Sequence, residues 1–174
     1  MAAYRATIAT PIGPLVAAAT ERGLYALEFR HRARPSSSSA AGSGNERGAG
    51  AAEAGVHLDR ARTWLAQYFA GRFEELESPA LDLNGTPFEL AVWQAMRQIP
   101  IGAVNTYSAL AMKLGRPQGA RAVGLASGRN PVCIIVPCHR VVGANGSLVG
   151  YGGGLDLKRR LLQHEGAIPS LLAL

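Results

Sequence analysis

The run Thr86-Pro87-Phe88-Glu89 restricts the fold of this chain more than any other feature. A threonine oxygen can accept the N–H of the third helical residue. Proline suits the first helical position, and a glutamate at the third can reach back to the cap's own N–H. Together the four residues form a capping box and fix a helix start. The helix is predicted to run to about residue 98 and to bury Phe88, Val92, Trp93 and Met96. Ile99-Pro100-Ile101-Gly102 ends it. The box also divides the chain. Strand-like sequence dominates before it and short capped helices follow it, so two domains are expected, 1–85 and 86–174.

The first thirty residues read as an antiparallel meander. Tyr4, Ala6 and Ile8 alternate with polar or small residues, a Pro-Ile-Gly-Pro turn precedes 15–19, and Glu21-Arg22-Gly23 precedes 24–29. Residues 33–55 are mainly Ser, Ala and Gly, with too little apolar surface to order themselves, and are expected to be a flexible loop. A helix over about 58–69 follows, with Leu58, Trp64, Leu65, Tyr68 and Phe69 facing the core. Residues 71–85 read as a linker.

In the second half, Thr106 can cap a helix from Tyr107 to Leu114 that Gly115 closes, and Pro117 opens another over about 118–127. Two short helices around Gly-Arg-Pro make a helix-turn-helix candidate. A last helix over about 155–165 carries Lys158, Arg159 and Arg160 and ends at Gly166. Between these helices, the apolar run Val132-Cys133-Ile134-Ile135-Val136 reads as a buried strand or core segment. It ends in Pro137-Cys138-His139-Arg140-Val141.

That pentapeptide is the chemical centre of the sequence. A thiol is a good nucleophile only as a thiolate, and a neighbouring imidazole is a common way to make one. Proline breaks the regularity of the run, so Cys138 is expected at the edge of a rigid element. The competing reading is a small core residue, as most free cysteines are. With only two cysteines, five positions apart in one stiff segment, no disulfide framework is expected. A reducing, cytoplasmic setting fits a free reactive thiol. Pro11 and Pro14 interrupt the only apolar stretch near the N-terminus, so neither a secretory signal nor a membrane span is expected.

Charge narrows the partner. Residues 1–84 contain nine Lys/Arg and nine Asp/Glu, whereas 85–174 contain nine Lys/Arg and three Asp/Glu. The whole net charge of +6 therefore lies in the second half. This asymmetry points to a polyanion, nucleic acid before anionic membrane, or else to a solvated basic face.

Read together and in order, Tyr107, the helix pair, Ala120-Arg121-Ala122-Val123-Gly124, Asn130-Pro131, Pro137-Cys138-His139-Arg140-Val141, Gly150-Tyr151-Gly152-Gly153 and His164-Glu165-Gly166 resemble the O6-alkylguanine-DNA alkyltransferases, or methylated-DNA–protein-cysteine methyltransferases. The resemblance covers residues 86–166 best. It implies an α+β protein with two parts: an N-terminal ribonuclease-H-like domain with an antiparallel sheet and a helix, then a mostly helical C-terminal winged-helix domain containing the helix-turn-helix. It implies double-stranded DNA containing alkylated bases as partner, no membrane and no cofactor, and a monomer is expected.

The resemblance also implies roles. Cys138 accepts the alkyl group, His139 acts as its base through a water, and Glu165 holds His139. Tyr107 donates to guanine N3 and Asn130 braces the turn before the active-site segment. Val141, Tyr151 and the Gly152 N–H line the alkylguanine pocket. Ala120 and Gly124 permit close approach to the minor groove, and Arg121 enters the base stack. Because neighbouring side chains on a strand point opposite ways, the backbone must leave strand geometry after Pro137 for His139 to serve Cys138. Some relatives hold a structural zinc through Cys and His. Here only His31 and His57 lie in the N-terminal part, without cysteine, so no zinc is expected. Three other classes remain open: a non-catalytic alkylated-DNA sensor, which would lack the cysteine; a Cys-His-Glu hydrolase; and a helix-turn-helix regulator with a structural Cys138.

Overall fold

A computed structural model describes residues 3–30 and 49–169. It separates into two compact units, Met1–Leu83 and Asn84–Leu174.

The first unit is built on β1 (Tyr4–Ile8), β2 (Leu15–Thr20) and β3 (Gly23–Phe29), an antiparallel meander in the order β1-β2-β3. Leu15 pairs with Ile8 on one side and Phe29 on the other, and a bulge falls between Ala18 and Ala19. The helix α1 (Ala49–Phe69) packs on this sheet. Ala17, Ala18 and Ala19 of β2 are buried, as are Ala54, Leu58, Ala61, Leu65 and Tyr68 of α1. Alanines on the sheet give the helix room for larger side chains. Tyr68 is fully buried and stacks on Trp64, with ring centroids 5.2 Å apart. Such pairs contribute about 1 kcal/mol beyond the area they bury.

Two sequence expectations change here. The helix begins at Ala49, not near 58, so residues 49–55 are helical. Serine, alanine and glycine were grouped as loop formers, but alanine is the best helix former, and the buried Ala54 and Ala61 give α1 its seat. Residues 33–48 of the expected loop, and His31, lie outside the described residues. The expected linker also contributes structure: Leu24 N–H donates to Ala80 O at 2.9 Å and Asp82 N–H to Leu24 O at 2.9 Å. This pairing uses backbone alone, so no side-chain alternation announces it. It requires Gly23, where an added Cβ would lie 2.7 Å from Ala80 O.

The second unit contains α2 (Pro87–Arg97), β4 (Asn105–Thr106), α3 (Tyr107–Lys113), α4 (Ala120–Gly128), β5 (Val141–Val142) and α5 (Leu155–His164). Both halves of the capping box form: Thr86 Oγ1 accepts from Glu89 N–H at 3.2 Å, and Glu89 Oε2 accepts from Thr86 N–H at 2.9 Å. Trp93 on α2 is buried and donates through Nε1 to Ala126 O of α4 at 2.9 Å. Thr106 caps α3, and Gly115 closes it in the left-handed conformation, φ +69. The helix α4 starts two residues later than predicted because a turn from Arg116 O to Gly119 N–H, at 2.7 Å, occupies that space. Among the described residues no helix is long and apolar enough to cross a membrane.

Candidate active site

The site forms where four pieces of the second unit meet. The first is the apolar run, which is neither a regular strand nor a helix but a buried tight turn. Ile135 N–H bonds Cys133 O at 2.9 Å and Val136 N–H bonds Val132 O at 3.0 Å, with Ile134 at φ +70. A buried β-branched residue in the left-handed region is strained, by roughly 1–3 kcal/mol. Asn130 holds this turn closed. Its Nδ2 donates to Val136 O at 2.7 Å and its Oδ1 accepts from Val132 N–H at 3.0 Å.

The second piece is Cys138–Arg140, a single 3-10 turn. Pro137 (φ −83, ψ 66) and the bond from Cys138 N–H to Val136 O, 2.8 Å, turn the backbone sharply. The chain thus leaves strand geometry after Pro137. Cys138 stays partly exposed while His139 and Arg140 are buried. Neither cysteine forms a disulfide.

The third piece is the end of α5. Glu165 is expected in a helix and instead occupies the C-cap, with its side chain fully buried. It is therefore not a solvated carboxylate. One oxygen, Oε1, accepts from His139 Nε2 at 2.8 Å and from Arg140 at 2.9 Å; Oε2 accepts from Arg140 Nε at 2.8 Å. Arg140 also donates to Ile99 O at 2.6 Å, tying the cluster to the end of α2. Burial alone would raise the Glu165 pKa, but the hydrogen bonds from His139 and Arg140 and the charge of Arg140 overcome it and hold it down at about 2. An ionised carboxylate only accepts, so His139 Nε2 carries a proton. Burial lowers the His139 pKa, outweighing the opposite pull of Glu165, so the ring is neutral. Its Nδ1 then presents a lone pair, is buried, and has no hydrogen-bond partner among the described residues.

The fourth piece is β4 with α3. Parallel pairing of β4 with β5 sets Asn105 beside Val141 and Thr106 beside Val142, which delivers Tyr107 to the site. Burial raises the Tyr107 pKa, and the charge of Cys138 raises it further, so the phenol keeps its proton. The hydroxyl donates to Val149 O over a long 3.4 Å. Tyr151 stands edge-on to His139, ring centroids 6.4 Å apart.

The structure thus gathers Tyr107, Asn130, Cys138, His139, Val141, Tyr151 and Glu165. Arg121 lies elsewhere, on the exposed side of α4, and makes no hydrogen bond or ion pair with the described residues. Ala120 is half-buried at the start of α4. A Cβ added at Gly124 would meet the Tyr107 ring at 3.8 Å, an ordinary contact, so helix packing does not demand glycine there.

Two residues were missed. Arg140 lies in the Pro-Cys-His-Arg-Val pentapeptide, where sequence alone gives it no role. Lys158 stands beside Arg159 and Arg160 on the last helix, but those two are exposed and Lys158 is completely buried. The signal was present: Lys158, Leu161, Leu162 and Glu165 follow the i, i+3, i+4, i+7 spacing of one helix face.

A ribonuclease-like unit followed by a helical unit with a Cys-His-Glu cluster defines a class that the comparisons identify. Residues 3–83 match the ribonuclease-like domain of 6-O-methylguanine DNA methyltransferase, and 87–167 match its DNA binding domain. The methylated-DNA–protein-cysteine methyltransferase of Methanosarcina acetivorans is 40% identical over 164 residues, 94% of this chain and 99% of that one. That of Salmonella typhimurium is 55% identical over 102 residues, 59% of this chain and 60% of the relative; the match spans less than two thirds of that relative's length. Two solved structures from Mycobacterium tuberculosis are similar. The O6-methylguanine methyltransferase has a TM-score of 0.74 and 38% identity over 98% of this chain and 96% of that one. The OGT structure in complex with DNA has a TM-score of 0.76 and 39% identity over 92% and 91%. The chain belongs to the methylated-DNA–protein-cysteine methyltransferase family.

Proposed function

We propose that this protein repairs O6-alkylguanine in double-stranded DNA by moving the alkyl group to its own Cys138, once per molecule, after the base is flipped out. One observation carries this reading: a partly exposed thiol shares a single turn with a buried, neutral imidazole whose far nitrogen is locked on a carboxylate.

The chemistry follows from that arrangement. His139 Nδ1 takes the Cys138 proton through a water, as the family resemblance implies. The thiolate attacks the alkyl carbon in line; an S–C bond forms as the C–O6 bond breaks, and the electron pair moves into the guanine ring. Guanine is a poor leaving group unless that charge is neutralised. Tyr107 gives its proton to N3, and the tyrosinate regains one from the imidazolium through solvent. The thiol proton thus ends on the base. The products are guanine and a thioether, and no step regenerates the thiol.

The remaining residues divide between pocket and DNA. Val141, Tyr151 and the Gly152 N–H line the alkylguanine pocket. Ala120 and Gly124 admit the minor groove against α4, and Arg121 fills the place of the extruded base. The protein acts as a monomer in the cytoplasm.

The test is duplex DNA carrying O6-methylguanine, followed by mass mapping of the Cys138 peptide. One added methyl per repaired base is expected, and none for Cys138→Ser. Multiple turnover, or repair surviving that substitution, sinks the reading.

A further inference from the structure

Lys158 is a buried charge that the proposed chemistry leaves unused. It is 0% exposed, ranking with the largest fully buried side chains. Its ammonium donates to Val141 O at 2.6 Å and Val149 O at 2.7 Å, which satisfies two of its three N–H donors. Neither partner is charged. The other buried charged groups of this unit have ionic partners: Arg140 pairs with Glu165, and Glu89 pairs with Arg129 at 2.9 Å. Lys158 forms no ion pair with any described carboxylate. Burying an ammonium without a counter-charge is expensive, by several kcal/mol even after relaxation. Something nearby must offset it, and the thiol of Cys138 is the group that can become negative.

The surroundings support this. Lys158 lies 6.0 Å from the centroid of the Tyr107 ring, on its face. Burial pushes its pKa down to about 8, and the charge of Cys138 pushes back. Three groups interact with it from the elements around it: Tyr107 at the start of α3, through its ring face, and Cys138 and His139 in the turn, through charge. Burial holds His139 neutral and keeps Tyr107 protonated, while Glu165 is already engaged by Arg140. Cys138 is the facing group still able to supply a compensating charge.

The backbone contacts add a mechanical role. Val149 O accepts both from Lys158, at 2.7 Å, and from Tyr107, at 3.4 Å. The shorter, charged bond is the stronger. When the Tyr107 hydroxyl turns to a base, Lys158 keeps that carbonyl satisfied. It also anchors the glycine-rich segment that carries Tyr151 and Gly152, where Gly150 and Gly154 adopt positive φ.

We propose that Lys158 is a positioning residue of the acceptor site, pinning the segment around Val149 to β5 and setting a positive charge beside the Cys138 thiolate. The inference rests on Cys138 as the acceptor, and its test does not depend on methyl transfer.

The chain has two lysines, Lys113 and Lys158. Amine nitrogen labelling therefore gives two side-chain NMR signals, and Lys113 is on the exposed surface. In Cys138→Ser, Lys158 should titrate at lower pH than in the unaltered protein, because its negative partner is gone. An unchanged titration overturns the proposal. Lys158→Met supplies the converse measurement. Its Cys138 should react with iodoacetamide on the order of 10- to 100-fold more slowly near neutral pH, as expected for losing one charged partner. The deficit should close at alkaline pH, where the thiol ionises regardless. A folded variant with the original pH profile refutes the charge role. Should Lys158→Met fail to fold, the lysine titration in Cys138→Ser still decides. Absence of methyl transfer in the unaltered protein, with the titration coupling intact, would refute the acceptor reading and not this one.

Discussion

Glu165→Gln tests the buried cluster through its stability. The substitution keeps shape and leaves an oxygen for His139 Nε2, but it removes the charge that Arg140 meets with two hydrogen bonds of 2.8 and 2.9 Å. Two routes give its magnitude. Holding a carboxylate at about 2 against an ordinary 4.5 corresponds to about 3 kcal/mol of folding stability. Breaking one partner of a buried ion pair costs about 3–5 kcal/mol in other proteins. The routes agree because each removes the negative charge opposite the Arg140 guanidinium and leaves it buried with only neutral acceptors, the retained Oε1 and Ile99 O. The Glu165 pKa is lower in the folded state than in the unfolded one. Its contribution is therefore complete above about 4.5 and fades as pH falls toward about 2. Urea unfolding of both proteins should show a gap of about 3 kcal/mol near neutral pH, shrinking to roughly half that near pH 3. A gap below about 1 kcal/mol, or one independent of pH, would mean that Glu165 is solvated and that the His139 tautomer has no anchor.

Two further predictions address the frame and the DNA side. Asn130→Ala leaves Val132 N–H and Val136 O without their 3.0 and 2.7 Å partners beneath a strained turn, and should cost about 2–4 kcal/mol by thermal unfolding; a loss within error would remove Asn130 as the brace. Arg121→Ala should leave the melting temperature unchanged, since the side chain is exposed, while slowing repair of duplex substrate more than reaction with a free O6-alkylguanine base. Equal losses on both substrates would remove base extrusion as its role.

What could be read from the chain, and what could not, separates along a physical line. Local rules were enough for the capping box, the meander and the Gly115 stop, because each is a short run of residues satisfying its own backbone. The departure from strand geometry after Pro137 followed from requiring that two adjacent side chains cooperate, and the 3-10 turn at Cys138–Arg140 supplies it. The start of α1 failed for the opposite reason. Alanine carries no polarity pattern, so its helix propensity was hidden beside serine and glycine, and the sheet that seats Ala54 and Ala61 is a tertiary partner. Arg140 and Lys158 failed because charge was read as surface. Nine basic residues in the second half suggested one cationic face, yet these two are buried around the Cys138 turn. That removes them from any DNA-facing excess and leaves Arg97, Lys113, Arg116, Arg121, Arg129, Arg159 and Arg160 to form it. Of these, Arg129 already pairs with Glu89 and Arg116 lies over the Phe88 ring at 4.8 Å. Arg121 is uncommitted among the described residues, on the outer side of the helix that follows the Gly-Arg-Pro turn. The basic surplus is therefore two populations with different work. One lies at the surface and is the part that the proposed DNA contact would use. The other is buried, Arg140 bonding Glu165 and Lys158 bonding the carbonyls of Val141 and Val149.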